Sequence, residues 1–463
     1  MRRVLFTFLV IAWCAPALYA QDTALVMLTP EDAIARAIAH SQRLAEAEAH
    51  KAGAQAAVES RRAAERPSLG VSAGYTRTNH VDAFGVPQPN GTLRVIYPDI
   101  PDNYFTRATL QWPIYTAGRT DALIRAAEAE ALAAEADIRA ARADLGLEVV
   151  RAYWALVTAT ESTRVFEDAL TRADALLGDV RSRFENGLIP PNEVASVEAQ
   201  RARQQMQLVE ARNLRASVLE DLRRLTGITA DIIVQGFSGS SRGFSTGVPT
   251  GVRREGSPGG SAGGSPGGSP GGSPTGSPDG SVRRPELEAL GARAAAAEER
   301  VDAVQSSRRP SVSFTAGADY ANPNSRIFPR ADIWRTSWEV GVVAAWTLWD
   351  GGRVAAESAE AAAAARALRA RHADLTELIT TEVRQRRLDL NSAHAVLDAA
   401  DVAVRSATEA RRIVSERFNV GVATSTDVLD AQLALLQAEL DRTRALANIR
   451  LAEARLDRAA GLP

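Results

Sequence analysis

Asp427 and Asp430 are the carboxylates of this chain best spaced to act together. They lie three residues apart in Gly421-Val-Ala-Thr-Ser-Thr-Asp427-Val-Leu-Asp430-Ala431, which puts both on one face of a helix. Two chemistries suit the pair. Thr424 and Asp427 match a capping box at a helix start, where an acid also meets the positive end of the helix. Repeated around a symmetry axis, the two acids would instead form rings that favour cations and narrow a passage. Like charges so confined would resist full ionisation. The counterpart stretch, Gly187-Leu-Ile-Pro-Pro-Asn-Glu193-Val-Ala-Ser196, keeps an acid at Glu193 and has Ser196 in place of Asp430.

Reactive chemistry finds little support elsewhere. The five histidines, His40, His50, His80, His372 and His394, form no HExxH pair, and Cys14 is the only cysteine. No ligand set for a metal or other cofactor emerges. No serine stands in a GxSxG elbow. The residues therefore argue against an enzyme.

The elements that must position the acids occur twice. Trp346-Thr-Leu-Trp-Asp-Gly-Gly352-Arg353 follows Trp112-Pro-Ile-Tyr-Thr-Ala-Gly118-Arg119 by 234 positions. Arg417-Phe-Asn-Val-Gly421 follows Arg183-Phe-Glu-Asn-Gly187 by the same offset. A fixed offset over this span is an internal repeat. In each copy an alternating strand ends at the tryptophan motif, and a proline-free helical pattern of about 65 residues, roughly 100 Å, begins after it. The glycine turn then reverses the chain into a helix of about 36 residues with heptad spacing at Leu429, Leu433, Leu436, Leu440, Thr443 and Ala447. Thr29-Pro30-Glu31-Asp32 starts an opening helix expected to run to about Ala64. Its second-copy partner begins at Arg284-Pro285.

The strands alternate strictly. Leu69, Val71, Ala73 and Tyr75 interleave with Ser68, Gly70, Ser72 and Gly74, and Val312, Phe314, Ala316 and Ala318 with Ser311, Ser313, Thr315 and Gly317. The return strands carry Ala108, Leu110, Trp112 and Ile114, and Trp338, Val340, Val342, Ala344, Trp346 and Leu348, on one face. Such two-faced strands of 9–11 residues, with aromatic residues near their ends, suit an outer-membrane barrel. Four strands are too few to close one, so a membrane reading demands an oligomer.

Arg2, Arg3, an apolar run and Ala15 to Ala20 read as a signal peptide over residues 1–20. Export leaves the mature chain without cysteine. The net charge of −2 gives no electrostatic case for nucleic-acid binding. The first copy spans 21–235 and the second 284–463. Between them, 236–283 is a Gly/Ser/Pro-rich stretch that reads as a disordered linker.

These motifs, in order and twice, resemble the TolC family of outer-membrane efflux proteins. So does the opening Leu28-Thr-Pro-Glu-Asp-Ala-Ile34. The resemblance implies a mainly α chain with a membrane β-barrel, built from a duplicated strand–long-helix repeat. Three chains would form a homotrimeric twelve-stranded barrel in outer-membrane lipid, continued by an α-helical periplasmic tunnel. It implies a passive exit duct of a tripartite efflux or type I secretion system, working with a periplasmic adaptor protein and an inner-membrane transporter, without a cofactor. By resemblance, Asp427 and Asp430, with Glu193 as first-copy counterpart, line the pore constriction. The turns Gly187-Leu188 and Gly421-Val422 meet the adaptor, and Ala423 stands where some members carry an arginine. Trp112, Gly118, Arg119, Trp346, Gly352 and Arg353 form the strand-to-helix junctions. The alternative is a soluble periplasmic coiled-coil scaffold.

Overall fold

The computed structural model describes residues 26–89, 91–237 and 284–462. The expected signal segment with Cys14, and nearly all of the expected linker, lie outside the described residues. The helices repeat with equal lengths. α1 (Pro30–His40) and α2 (Gln42–Ala63) open the chain. α3 (Arg119–Glu185) and α6 (Arg353–Asn419) have 67 residues each, α4 (Pro191–Thr226) and α7 (Ser425–Ala460) 36 each, and α5 (Pro285–Ser306) matches α2 at 22. Both ends of α6 and α7 fall 234 residues after those of α3 and α4, so the repeat read from the motifs holds through the helices between them.

The opening helix departs from expectation, because Ser41 interrupts it. Its backbone is extended (φ −69°, ψ 115°), and its hydroxyl accepts the Leu44 N–H at 3.3 Å. A serine that bonds the backbone in this way caps a new helix rather than continuing the old one.

Two compact units divide the chain, and each draws on both copies. One comprises Met1–His40, Val149–Arg253 and Leu397–Ala447, the other Ser41–Glu148, Arg254–Val396 and Asn448–Pro463. In the first, Leu176, Leu177, Val180, Val197, Phe418, Val428 and Leu429 form one apolar cluster, and Val165, Ala169, Leu436 and Leu440 another. A short parallel pair, β1 (Val26–Leu28) with β6 (Ile232–Val234), belongs here too. The second unit packs Ala133 and Ala136 against Ala289, and Ile379 and Val383 against Ala459. Small side chains let those helices approach closely.

The second unit also holds a four-stranded antiparallel sheet in the order β2 (Ser68–Arg77), β5 (Asp102–Tyr115), β7 (Ser311–Asn322), β8 (Arg335–Ala345). The loop expected between the first two strands contains a hairpin, β3 (Phe84–Pro87) with β4 (Leu93–Tyr97). β8 ends at Ala345, so Trp346 and Leu348 lie beyond the strand in which alternation had placed them. Among the described residues no helix is long and apolar enough to cross a membrane.

Candidate functional site: helix turns, strand-to-helix junctions and the sheet face

The two helix turns have one construction. α3 ends as Gly187 takes φ +70°, with Gly187 N–H donating to Phe184 O at 2.8 Å and Leu188 N–H to Arg183 O at 2.9 Å. α6 ends as Gly421 takes φ +77°, with Gly421 N–H on Phe418 O at 3.1 Å and Val422 N–H on Arg417 O at 2.8 Å. This is the left-handed helix cap that glycine serves best. A Cβ at either glycine would meet nothing within 4 Å, so only the backbone angle demands glycine. Leu188 and Val422, which follow, are 72% and 64% exposed.

The three acids of the expected constriction are held in different ways. Asp427 and Asp430 are both exposed on one face of the first turns of α7, while Val428 and Leu429 between them are buried. Asp427 completes the capping box: its Oδ2 accepts the Thr424 N–H and hydroxyl, each at 2.8 Å, and its own N–H donates to Thr424 Oγ1 at 3.2 Å. Those Thr424 donors hold the Asp427 carboxyl below the usual carboxylate range. Within one chain this is the reverse of the upward push expected from a ring of like charges. Asp430 makes no side-chain hydrogen bond among the described residues. Glu193 is half-buried, and its Oε2 accepts the Ser425 N–H of the other copy at 3.4 Å. It thereby caps α7 and joins the copies. Ala423 packs on the apolar cluster around Phe418.

The junction tryptophans do the same job twice. Trp112 Nε1–H donates to Glu65 O at 3.1 Å, and Trp346 Nε1–H to Arg308 O at 3.0 Å. Each indole therefore ties a descending strand to the end of the helix that precedes the ascending one. Beyond them the copies differ. Before α6, Asp350 accepts the N–H groups of Gly352 (2.9 Å) and Val354 (2.8 Å), which lower its pKa. Before α3, Thr116 holds that place with a longer 3.4 Å bond from Thr120 N–H. Gly118 and Gly352 turn at φ +84° and +91°. Arg119 and Arg353 begin the helices, and Arg353 pairs with Glu357 at 2.8 Å.

Across the sheet the register aligns the alternation. Val71, Ala108, Ala318 and Trp338 stand side by side, as do Leu69, Leu110, Ala316 and Val340, and Trp112, Phe314 and Val342. The opposite face carries Ser72, Arg107, Asp319 and Ser337, with Arg107 paired to Asp319. The apolar face is bare: Leu69 and Val71 are each 71% exposed and Trp338 77%. Towards one end, the rings of Tyr75, Tyr104, Trp334 and Tyr320 follow one another with successive centroids 4.8 to 6.1 Å apart. Trp112 and Tyr115 lie at the other end of β5. An uncovered apolar band between two aromatic zones is what a lipid bilayer matches.

Tyr153 carried no sequence signal, being one of four aromatic residues in a long helix. It is fully buried, its hydroxyl lies 3.1 Å from Leu28 O, and it accepts the Gln235 N–H at 3.1 Å. Burial pushes its phenol up to about 12, so it stays a neutral clamp on the β1–β6 pair. No cluster of metal-ligating side chains occurs among the described residues.

The family profile described as outer membrane efflux protein matches residues 33–228 and 281–462. Among curated proteins none matches the sequence. Among solved structures the chain is similar to the outer membrane protein VceC of Vibrio cholerae (21% identity, TM-score 0.72, covering 93% of this chain and 96% of that one). It is also similar to the Campylobacter jejuni CmeC outer membrane channel (16%, 0.72, 93% and 85%) and the Neisseria gonorrhoeae MtrE outer membrane channel in its open state (18%, 0.72, 94% and 89%).

Proposed function

Since the chain belongs to the outer membrane efflux protein family, we propose that three copies of it close one barrel and continue it as a duct that a periplasmic adaptor engages at the helix turns. The chain is an outer-membrane exit duct of a tripartite efflux system, reaching into the periplasm. Its family and fold are those of channels. An adaptor and an inner-membrane pump are the kinds of partner such a system uses.

The sheet carries the proposal of a trimer. Its apolar face is exposed, which argues against a soluble scaffold, and both flanking strands, β2 and β8, have an open edge. In hydrocarbon each unsatisfied backbone group costs several kcal/mol. Small barrels need about eight strands, so one chain is insufficient and three supply twelve. Detergent extraction followed by light scattering tests this. A trimer is expected, and a membrane-inserted monomer would sink the reading. A chain recovered from the soluble periplasm would favour the scaffold.

The exposed Leu188 and Val422, on turns fixed by Gly187 and Gly421, support those turns as the adaptor contact. The exposed Asp427 and Asp430 support an acidic constriction, with Glu193 buttressing it from the neighbouring turn. Cargo passes without chemistry, since selection and energy belong to the pump.

A further inference from the structure

Arg183 reaches from the end of α3 to the end of α6. Its Nη1 donates to Phe418 O at 2.8 Å, and its guanidinium carbon lies 4.0 Å from the centroid of the Phe418 ring. A cation over an aromatic face is attracted by the ring quadrupole, and a bond to the last carbonyls of a helix also meets its negative end. Phe418 is 3% exposed beneath it, packed on Leu176, Leu177 and Val180. The contact thus runs from copy one to copy two within the chain.

Both partners have counterparts 234 residues away, and those counterparts do not meet. Phe184 matches Phe418 but is 43% exposed. Arg417 matches Arg183, is exposed, and has no hydrogen bond or ion pair from its side chain among the described residues, beyond a longer-range attraction to Asp427. One half of the contact is left over at each flank of the paired turns. In a closed ring of three chains the copies alternate, so the step from copy one to copy two within a chain is followed by a step from copy two to copy one of the next chain. A contact satisfied at the first step is completed at the second by quasi-equivalence.

We propose that Arg417 of each subunit covers Phe184 of the next, closing the ring of helix turns with the contact that Arg183 and Phe418 make inside the chain. The proposal rests on the trimeric reading above and names the residues that hold its periplasmic end. The seam it describes is weaker than the intrachain one. Glu193 adds a bond to Ser425 N–H within the chain. Its counterpart Asp427 would have to find Pro191, which has no N–H to give. Asp427 is therefore left to cap its own helix, and Arg417 with Phe184 carries this part of the seam.

The test uses two full-length chains with different tags, co-expressed, one carrying Arg417→Cys and the other Phe184→Cys. Both positions are exposed, and neither glycine turn is altered. A short bis-maleimide added to outer membranes should give a covalent dimer bearing both tags, absent when either variant or the wild type is expressed alone. Light scattering of the same preparation reports assembly independently. A trimer whose two cysteines react with a monofunctional maleimide, yet which gives no mixed dimer, overturns the Arg417–Phe184 contact and leaves the trimeric duct standing. A monomer overturns both. A second measurement needs no cysteine. Arg417→Ala and Phe184→Ala should each lower the temperature at which the trimer dissociates in detergent. The double variant should fall no further than the worse single one, because both remove the same interaction. Additive losses would overturn the contact.

Discussion

Asp427 and Asp430 share a helix face but are held differently, and substitutions should separate their roles. Asp427 closes a capping box with Thr424, whereas Asp430 makes no side-chain bond among the described residues. Asp430→Ala should lower cation selectivity and raise conductance in planar bilayers without loosening the turn. Asp427→Ala should do both, and hydrogen exchange at the first amides of α7 would reveal the loosening. If neither variant alters selectivity or conductance, both acids are structural. The pH dependence follows in sign. The Asp427 carboxyl titrates below its unfolded value of about 3.9. Its contribution to the turn is therefore present above that value and lost as pH falls through the folded one. At the turns themselves, Gly421→Val places a β-branched residue at φ +77°, a strain of roughly 1–2 kcal/mol, with no clash to add. It should abolish export while trimers still form. Unfolded protein in that variant would make the turn structural rather than a docking point.

The elements were legible wherever period and punctuation agreed. Strand alternation put Leu69, Val71, Leu110, Phe314, Trp338, Val340 and Val342 on the one face where the register places them, while Phe105 and Val343 fall on the other. The Arg-Phe-x-x-Gly motif located both helix turns, and the tryptophan motif both junctions. What escaped were features decided by partners distant in sequence. The Ser41 break looks like any polar position in a helix until its hydroxyl takes the Leu44 N–H. The β1–β6 pair joins strands of three residues from opposite ends of the first copy, too short for any period. Glu193 was legible as the counterpart of Asp427, but nothing local announces that its carboxylate takes the Ser425 N–H of the other copy. The tryptophans were noticed as membrane-belt residues, and their indole bonds were not. Trp112→Phe and Trp346→Phe keep an aromatic side chain but lose the N–H donor and part of the ring, so each should cost at least about 1 kcal/mol, read as a lower unfolding midpoint. A second test concerns Arg458, 9% exposed, which pairs with Asp144 of α3 at 2.7 Å and with Glu286 of α5. Burial pushes the Glu286 carboxyl up, but its bond to Arg458, a backbone N–H and the charges of Arg458 and Arg284 together outweigh that and hold it low. Glu286→Ala leaves Arg458 with one acid fewer and should destabilise by about 1–2 kcal/mol, below the 3–5 of a fully buried pair because Asp144 stays. That loss should be complete at neutral pH and vanish as pH falls through the folded pKa of Glu286, where the wild type loses the same charge.

At the scale of the whole chain, duplication explains why so much could be read from so little. Two copies with equal helix lengths supply two independent readings of each motif, and chance agreement at one offset across 67- and 36-residue helices is implausible. It also predicts what the join between the copies must do. α4 ends at Thr226 and α5 begins at Pro285, so no helix of the described residues enters it. Gly256 to Gly280 consists almost entirely of Gly, Ser and Pro, a composition that buries no apolar core. Its contribution to folding is then the entropy of closing a loop, which changes by only about 0.6 kcal/mol for each doubling of length. Replacing Gly256 to Gly280 with a few Gly-Ser residues should therefore leave membrane insertion, trimer yield and export unchanged, as read by light scattering and by drug susceptibility of cells carrying the shortened chain. Lost trimers would mean the segment contributes packing that its composition does not announce. Intact trimers with lost export would instead assign it a role in meeting a partner.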